Sequence, residues 1–252
     1  VLVTSDDIEI IVFNRSKVNR TGNEVGLVAH WRFDGNADDS VGANHGTIFG
    51  NASFVSGKMG QALEFDGLND FVSIPNFTLG YGNGRLLTIS LWVRSDITDG
   101  TLNAVFRQGG TSISIYQWSD NQWTLHAGDI DTGVNVTAGE WTHLAIFQDD
   151  VGVADNVKFW VNGVLRYNDT GHTAGSTDEL RIGNDLFSQP WSGLIDEIMI
   201  FNRSLNASEI LNLYLEGNCK DDDNDGVLEY HRDTCPTGKD VCPRTPEKKR
   251  EN

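Results

Sequence analysis

Leu87, Ile89, Leu91 and Val93 alternate with Thr88, Ser90, Trp92 and Arg94, a period of two that predicts a strand with one buried face. Val157, Phe159 and Val161 repeat the pattern and run into Asn162-Gly163, after which Val164-Leu165-Arg166-Tyr167 resumes it. Both residues of an Asn-Gly pair tolerate positive φ, so this stretch predicts a tight hairpin. Further strands are expected at Leu27–Phe33, Ala62–Phe65, Phe71–Ile74, Ala104–Arg107, Ile113–Tyr116, Trp123–His126, Trp141–Phe147, Leu180–Gly183 and Leu194–Phe201. So many short strands separated by turn residues predict an all-β, two-sheet antiparallel sandwich. One short helix breaks the pattern near its end. Asn206 is placed to cap it, Glu209 completes a capping box, and Ile210, Leu211, Leu213 and Tyr214 form an apolar stripe. Gly217 is placed to stop it as a C′ residue.

Three zones follow from this pattern. Residues 25–217 hold the strands and the helix. Residues 1–24 hold a short apolar segment, with Ile8, Ile10, Ile11, Val12 and Phe13 on both of its faces, and a polar connector from Asn14 to Glu24. Such a segment cannot remain an exposed strand, because its edge would be adhesive. It is expected either to add to its own sandwich or to complete a neighbouring subunit's sheet by β-strand addition. Head-to-tail addition does not close on itself and would build a filament. Residues 218–252 change character, with all three Cys, an acidic cluster, three of the five Pro and a basic end.

Composition narrows the function classes. Of 252 residues, 36 are Asp or Glu and 19 are Lys or Arg, a formal net charge of −17. That field repels phosphate backbones and anionic lipid, so neither nucleic acid nor a membrane surface is an expected partner. No apolar run is long enough to span a bilayer. Asn-x-Ser/Thr sequons begin at Asn14, Asn19, Asn51, Asn76, Asn135, Asn168, Asn202 and Asn206. Chance would supply about three, so the excess points to an extracellular or cell-surface glycoprotein.

Four stretches in order carry a family resemblance. They are Gly26-Leu-Val-Ala-His-Trp-Arg-Phe-Asp34; Gly57-Lys-Met-Gly-Gln-Ala-Leu-Glu-Phe-Asp-Gly-Leu-Asn-Asp-Phe-Val72; Leu87-Thr-Ile-Ser-Leu-Trp-Val93 with Trp141-Thr-His-Leu144 beyond it; and Gly193-Leu-Ile-Asp-Glu-Ile198, followed by Asn202-Arg-Ser-Leu205 and Glu209-Ile210. Residues 25–217 thereby resemble the laminin-G-like, concanavalin-A-like family. The resemblance implies a jelly-roll β-sandwich serving in carbohydrate binding, adhesion or surface structure, often with a calcium ion. Fold alone does not assign function. A glucanase on this fold would need a Glu-x-Asp-x-x-Glu run, which the sequence lacks, as it lacks His-Glu-x-x-His and Gly-x-Ser-x-Gly. No enzymatic activity is expected.

Calcium is the expected cofactor, at two places. The resemblance implies that Asp34 and Asp196 help hold an ion tying the first sandwich strand to the last; the competing reading is that Asp34 starts a turn and Asp196 pairs with backbone N–H groups. Asp66 and Asp70 match a turn where shaping is the expected role. In the tail, Asp221, Asp223 and Asp225 before Gly226 have the spacing of loop positions 1, 3 and 5, with Val227 and Glu229 at positions 7 and 9. Arg232 stands where an EF-hand needs Glu. The stretch is instead similar to a thrombospondin type-3 repeat, and Asp233-Thr-Cys235-Pro236 supplies its ending one residue late. Cys235 and Cys242 are the preferred disulfide, with Cys219 bonded to either as the alternative.

Tyr116, Trp118 and Trp123, around the Ser119-Asp120-Asn121 turn, and Trp191 are candidates for sugar stacking. Two functions compete at this stage. One is a glycosylated structural or adhesive subunit of a cell-surface filament, joined to its own copies or to other surface proteins through the N-terminal strand. The other is a calcium-dependent, lectin-like module for polysaccharide.

Overall fold

A computed structural model describes residues 25–75, 77, 86–108, 114–125, 130–149, 156–170, 179–184, 189–220 and 229–230. Its first strands are β1 (Leu27–Trp31), β2 (Thr47–Phe49), β3 (Ser53–Ser56), β4 (Gln61–Asp66), β5 (Phe71–Ile74) and β6 (Leu86–Ser95). Then come β7 (Asn103–Gln108), β8 (Ser114–Gln117), β9 (Gln122–Leu125), β10 (Ile130–Asn135), β11 (Trp141–Asp149), β12 (Asn156–Val161) and β13 (Val164–Thr170). β14 (Leu180–Ile182), β15 (Ser192–Phe201), α1 (Ala207–Glu216), β16 (Cys219–Lys220) and β17 (Glu229–Tyr230) complete the order.

The strands β1 to β15 form two antiparallel sheets. The first runs β13-β12-β11-β6-β15-β4-β3, with β1 also paired to β15, and the second runs β10-β9-β8-β7-β14-β5-β2. One apolar core joins them: Leu63, Ile89, Leu91 and Ile195 from the first sheet meet Val72, Val105, Ile115 and Ile182 from the second. This is an all-β sandwich with one short C-terminal helix, consistent with a jelly roll. The Asn162-Gly163 hairpin forms as its sequence dictates, with φ of 52° and 73° at the two turn residues. Within the sandwich, three strands escape the periodicity. β2 and β3 are too short to show a period, and Gly133 interrupts β10.

α1 covers the outer face of the first sheet. Ile210 and Leu213 pack with Leu205, Phe201, Ala145, Phe147 and Trp160 in a second apolar cluster. Burying such a side chain contributes about 1.5–3 kcal/mol. The helix starts as its sequence requires. The Asn206 Oδ1 accepts the N–H groups of Ser208 (2.9 Å) and Glu209 (3.0 Å), while the Asn206 N–H donates to Glu209 Oε2 at 2.8 Å. Arg203 grips the same carboxylate (Nη2–Oε1 2.7 Å) and holds its pKa below the ordinary value.

The helix end corrects an expectation. Gly217 has φ −70°, so it stops the helix without a left-handed turn. Its lack of a side chain serves packing instead, since a Cβ there would lie 2.6 Å from the Trp92 indole. Trp92 stacks on Tyr214 (5.7 Å between centroids) and carries the Lys58 ammonium over its ring at 4.4 Å. Beyond the helix, β16 and β17 pair Cys219 with Tyr230 and Lys220 with Glu229.

Candidate functional site

Asp196, one of the two acids expected to hold calcium in the sandwich, lies at a bulge in β15. On one side of β15, residues Ser192 to Ile195 pair with β4, and Ile198 to Phe201 pair with β1. On the other side β6 runs past both, and the register slips between Asp196↔Trp92 and Met199↔Ser90. Glu197 supplies the extra residue, at φ 48°. The slip lets Ile195 and Ile198 both enter the core and leaves two adjacent buried carboxyl groups between them.

Each acid has its own partners. Asp196 Oδ2 accepts the N–H groups of Lys58 (2.9 Å) and Met59 (3.0 Å), while its buried Oδ1 has no hydrogen-bond partner. Burial pushes its pKa up to about 8; the two N–H bonds oppose this, and the Glu197 charge adds to it. Glu197 Oε2 lies 2.6 Å from His30 Nε2. Asp34 Oδ1 accepts the Gln61 N–H at 2.8 Å. Asp34 and Asp196 therefore grip opposite ends of the Gly57–Gln61 turn between β3 and β4. The first strand itself is tied to the last directly, by the β1–β15 ladder. Among the described residues no three His, Cys, Asp or Glu side chains gather where they could hold a metal ion, and the bonds that Asp34 and Asp196 make are those of a turn clamp. Asp66 and Asp70 shape the next turn: Asp66 accepts from Leu68 N, and Asp70 accepts from Asn51 N and Asp66 N.

The aromatic candidates need correction. Tyr116, Trp123 and Trp191 are each only 1% exposed, so they offer no face to a sugar. Trp123 belongs to the inward set of β9 and tilts against Trp191 at 6.0 Å inside the core. Trp118 alone stays half-buried, at the β8–β9 turn, where its carbonyl accepts the Asn121 N–H and its own N–H donates to Gln122.

A different aromatic group reaches the surface. In β5, Val72 and Ile74 enter the core, so Phe71 and Ser73 face outward. Phe49 pairs with Phe71 in register, and their rings stack at 4.7 Å and 9°. The Arg181 guanidinium lies 4.5 Å from the Phe71 ring centre, on the next strand. Arg181 Nε donates to Glu179 Oε2 at 2.9 Å, and the other Glu179 oxygen accepts from Ser73 Oγ. The result is a column, Phe49–Phe71–Arg181–Glu179, across the outer face of the second sheet. Phe49 is 45% exposed, the one aromatic side chain in the exposed class among those described. Sequence reasoning missed this group because Phe49 and Phe71 meet only through strand register. The usable signal was the outward phase of Phe71 within Phe71–Ile74.

Asn51, Asn135, Asn168, Asn202 and Asn206 are all exposed. The Asn206 cap uses Oδ1 and leaves Nδ2, the atom an N-glycan would join, outside the capping bonds. Glu229 lies in β17 opposite Lys220. The assembly strand Ile8–Phe13, the sequons at Asn14, Asn19 and Asn76, the residues Asp221, Asp223, Asp225, Val227 and Asp233, and the pair Cys235 and Cys242 lie outside the described residues. Among the described residues no helix is long and apolar enough to cross a membrane.

Comparison with known proteins places this geometry. A search among curated proteins found no match. Domain 4 of AbnA, an extracellular arabinanase of Geobacillus stearothermophilus solved in complex with arabinotriose, is 25% identical at a TM-score of 0.62. The alignment covers 76% of this chain and 99% of that domain. The binding domain of Paraclostridial Mosquitocidal Protein 1 shares the fold at TM-score 0.61 and 14% identity, covering 77% of this chain. A Trypanosoma rangeli sialidase does so at 0.57 and 18%, covering 76%. This chain spans 53% of the mosquitocidal chain and 33% of the sialidase chain. Residues 65–211, more than half of the sequence, match a laminin G family model described as the concanavalin A-like lectin/glucanases superfamily. The chain belongs to that superfamily.

Proposed function

We propose that this chain is a non-catalytic carbohydrate-binding domain of an extracellular protein, and that it takes a neutral oligosaccharide on the Phe49–Phe71–Arg181 column. The observation that carries the reading is the exposed, stacked ring of Phe49 beside a fixed Arg181–Glu179 pair. Sugar rings bury their C–H faces on aromatic side chains while hydroxyls bond to planar polar groups, and this column offers both at once. The correspondence with 99% of a domain solved in complex with arabinotriose, over 76% of this chain, supports the same class of ligand. Neutral sugar is favoured over sialylated or uronate glycans because a net charge of −17 opposes anionic ligands at long range. The non-catalytic reading rests on the adjacent acids Asp196 and Glu197, which are buried and committed to Lys58, Met59 and His30. A glycosidase needs two carboxyl groups flanking an accessible bond.

Calorimetric titration with arabinotriose, preceded by a glycan array, tests the reading. Asn51 stands near Phe49, so the titration is run on the Asn51→Gln variant as well as on the parent. Phe49→Ala and Arg181→Ala are each expected to weaken binding about tenfold, equivalent to about 1.4 kcal/mol. Neutral glycans that fail to bind, or affinities unmoved by both substitutions, would sink it.

The tail joins the proposal as a calcium loop. Asp221, Asp223 and Asp225 supply hard oxygen ligands at the spacing that calcium loops use. Calcium titration of the full chain should show one saturable site that Asp223→Asn with Asp225→Asn abolishes. Equal binding by parent and double variant would remove calcium from the account of the tail.

A further inference from the structure

The positions of the described sequons follow the sheet edges. The first sheet ends in β13 and β3, and the second in β10 and β2. Asn168 lies within β13, and Asn135 is the last residue of β10. Asn51 lies in the turn that joins β2 to β3. β10 and β13 lie against each other on one side of the sandwich, so Asn135 and Asn168 share that side while Asn51 serves both edges of the other. All four terminal strands thus carry or adjoin an exposed sequon.

Two of these edges expose large apolar side chains, Phe49 on β2 and the start of β13. β13 exposes Val164 (48%) and Leu165 (45%) beside an open ladder, the arrangement that invites pairing with another chain. By contrast, β1 is closed by its own neighbours. The His30 N–H donates to Asp39 Oδ1, and the His30 carbonyl accepts the Ser40 N–H.

We propose that Asn51, Asn135 and Asn168 carry N-linked glycans whose role is to keep the four sheet edges from pairing with other chains. In the modification, each Asn Nδ2 bonds to the anomeric carbon of a lipid-phosphate-linked oligosaccharide, losing one proton as the lipid phosphate leaves. A hydrated glycan beside an edge strand blocks the close approach, about 4.8 Å between strands, that a ladder requires. Asn202 and Asn206 stand apart from this role, at the end of β15 and at the cap of α1. The inference does not depend on sugar binding by the column.

The test uses the full chain secreted from a host that performs N-glycosylation, with glycopeptide mass spectrometry reading occupancy at each site. Association is measured by light scattering after size-exclusion chromatography over a hundredfold concentration range. The expected result is occupancy at all three positions and a mass independent of concentration. The variant Asn51→Gln/Asn135→Gln/Asn168→Gln should then associate as its concentration rises, while Asn202→Gln should not. Enzymatic removal of glycans from the folded parent repeats the comparison without any substitution. Empty sites, or a triple variant and a deglycosylated chain that both stay as monomeric as the parent, would overturn the proposal.

Discussion

Gly193→Ala is expected to lower the unfolding temperature by on the order of 10 °C, the equivalent of about 3–5 kcal/mol in a chain of this size. Gly193 has φ 138°, which L side chains rarely adopt, and a Cβ there would run into the carbonyl oxygen of Arg94. Neither obstacle can move cheaply, because the contact is backbone on the adjoining strand β6 and Gly193 pairs with Phe65 and Ser95 on its two sides. Gly139→Ala separates the two causes. Gly139 also has positive φ, 80°, but a Cβ there would meet nothing within 4 Å. Its cost should be the backbone strain alone, about 1 kcal/mol. Thermal unfolding of both variants by circular dichroism checks this, and equal shifts would show that the Arg94 contact contributes nothing.

The second large effect concerns pH. Burial pushes Asp196 from 3.8 up to about 8, so between those values the folded chain keeps a proton that the unfolded chain releases. The stability this group contributes is complete below about pH 4 and is lost as the pH rises toward 8. His143 works in the opposite sense. Burial, helped by the Lys58 charge, pushes it from 6.5 down to about 3. Its contribution is complete above about pH 6.5 and is lost as the pH falls toward 3. The two slopes oppose each other in mildly acid solution, and the Asp196 slope stands alone between about pH 6.5 and 8.

Asp196→Asn should erase that slope. The amide oxygen can accept the Lys58 and Met59 N–H groups as Oδ2 does, and the amide nitrogen takes the place of the unpartnered Oδ1. Denaturant unfolding from pH 6.5 to 8 should show the parent losing roughly 2 kcal/mol while the variant stays level. Parallel curves would mean that Asp196 is already ionised in the folded chain.

What the sequence revealed, and what it hid, follows from the range of each signal. Local periodicity found the strands at Phe71–Ile74 and along β6, and local chemistry found the Asn162-Gly163 hairpin and the Asn206 cap. These depend on neighbours within a few residues. Asp34 and Asp196 were read as helping to hold an ion between the first strand and the last, with backbone pairing of Asp196 as the competing reading; the bonds both make go to N–H groups of the Gly57–Gln61 turn. No local pattern says whether a buried carboxylate receives N–H groups or a metal ion. The stacking candidates failed for a related reason. Trp123 stands next to a polar turn, yet its strand phase turns it inward, and Trp191, just before β15, packs against it in the core. Phe49 and Arg181 join Phe71 only because β2, β5 and β14 become neighbours in the folded sheet.

The central claim is that the outer face of the second sheet binds sugar, and amide and side-chain NMR of the labelled chain during oligosaccharide titration tests it most directly. The account predicts saturable shifts confined to Phe49, Phe71, Ser73 and Arg181 and their strand neighbours. Shifts confined to the Trp118 turn, or none with any neutral oligosaccharide, would contradict it.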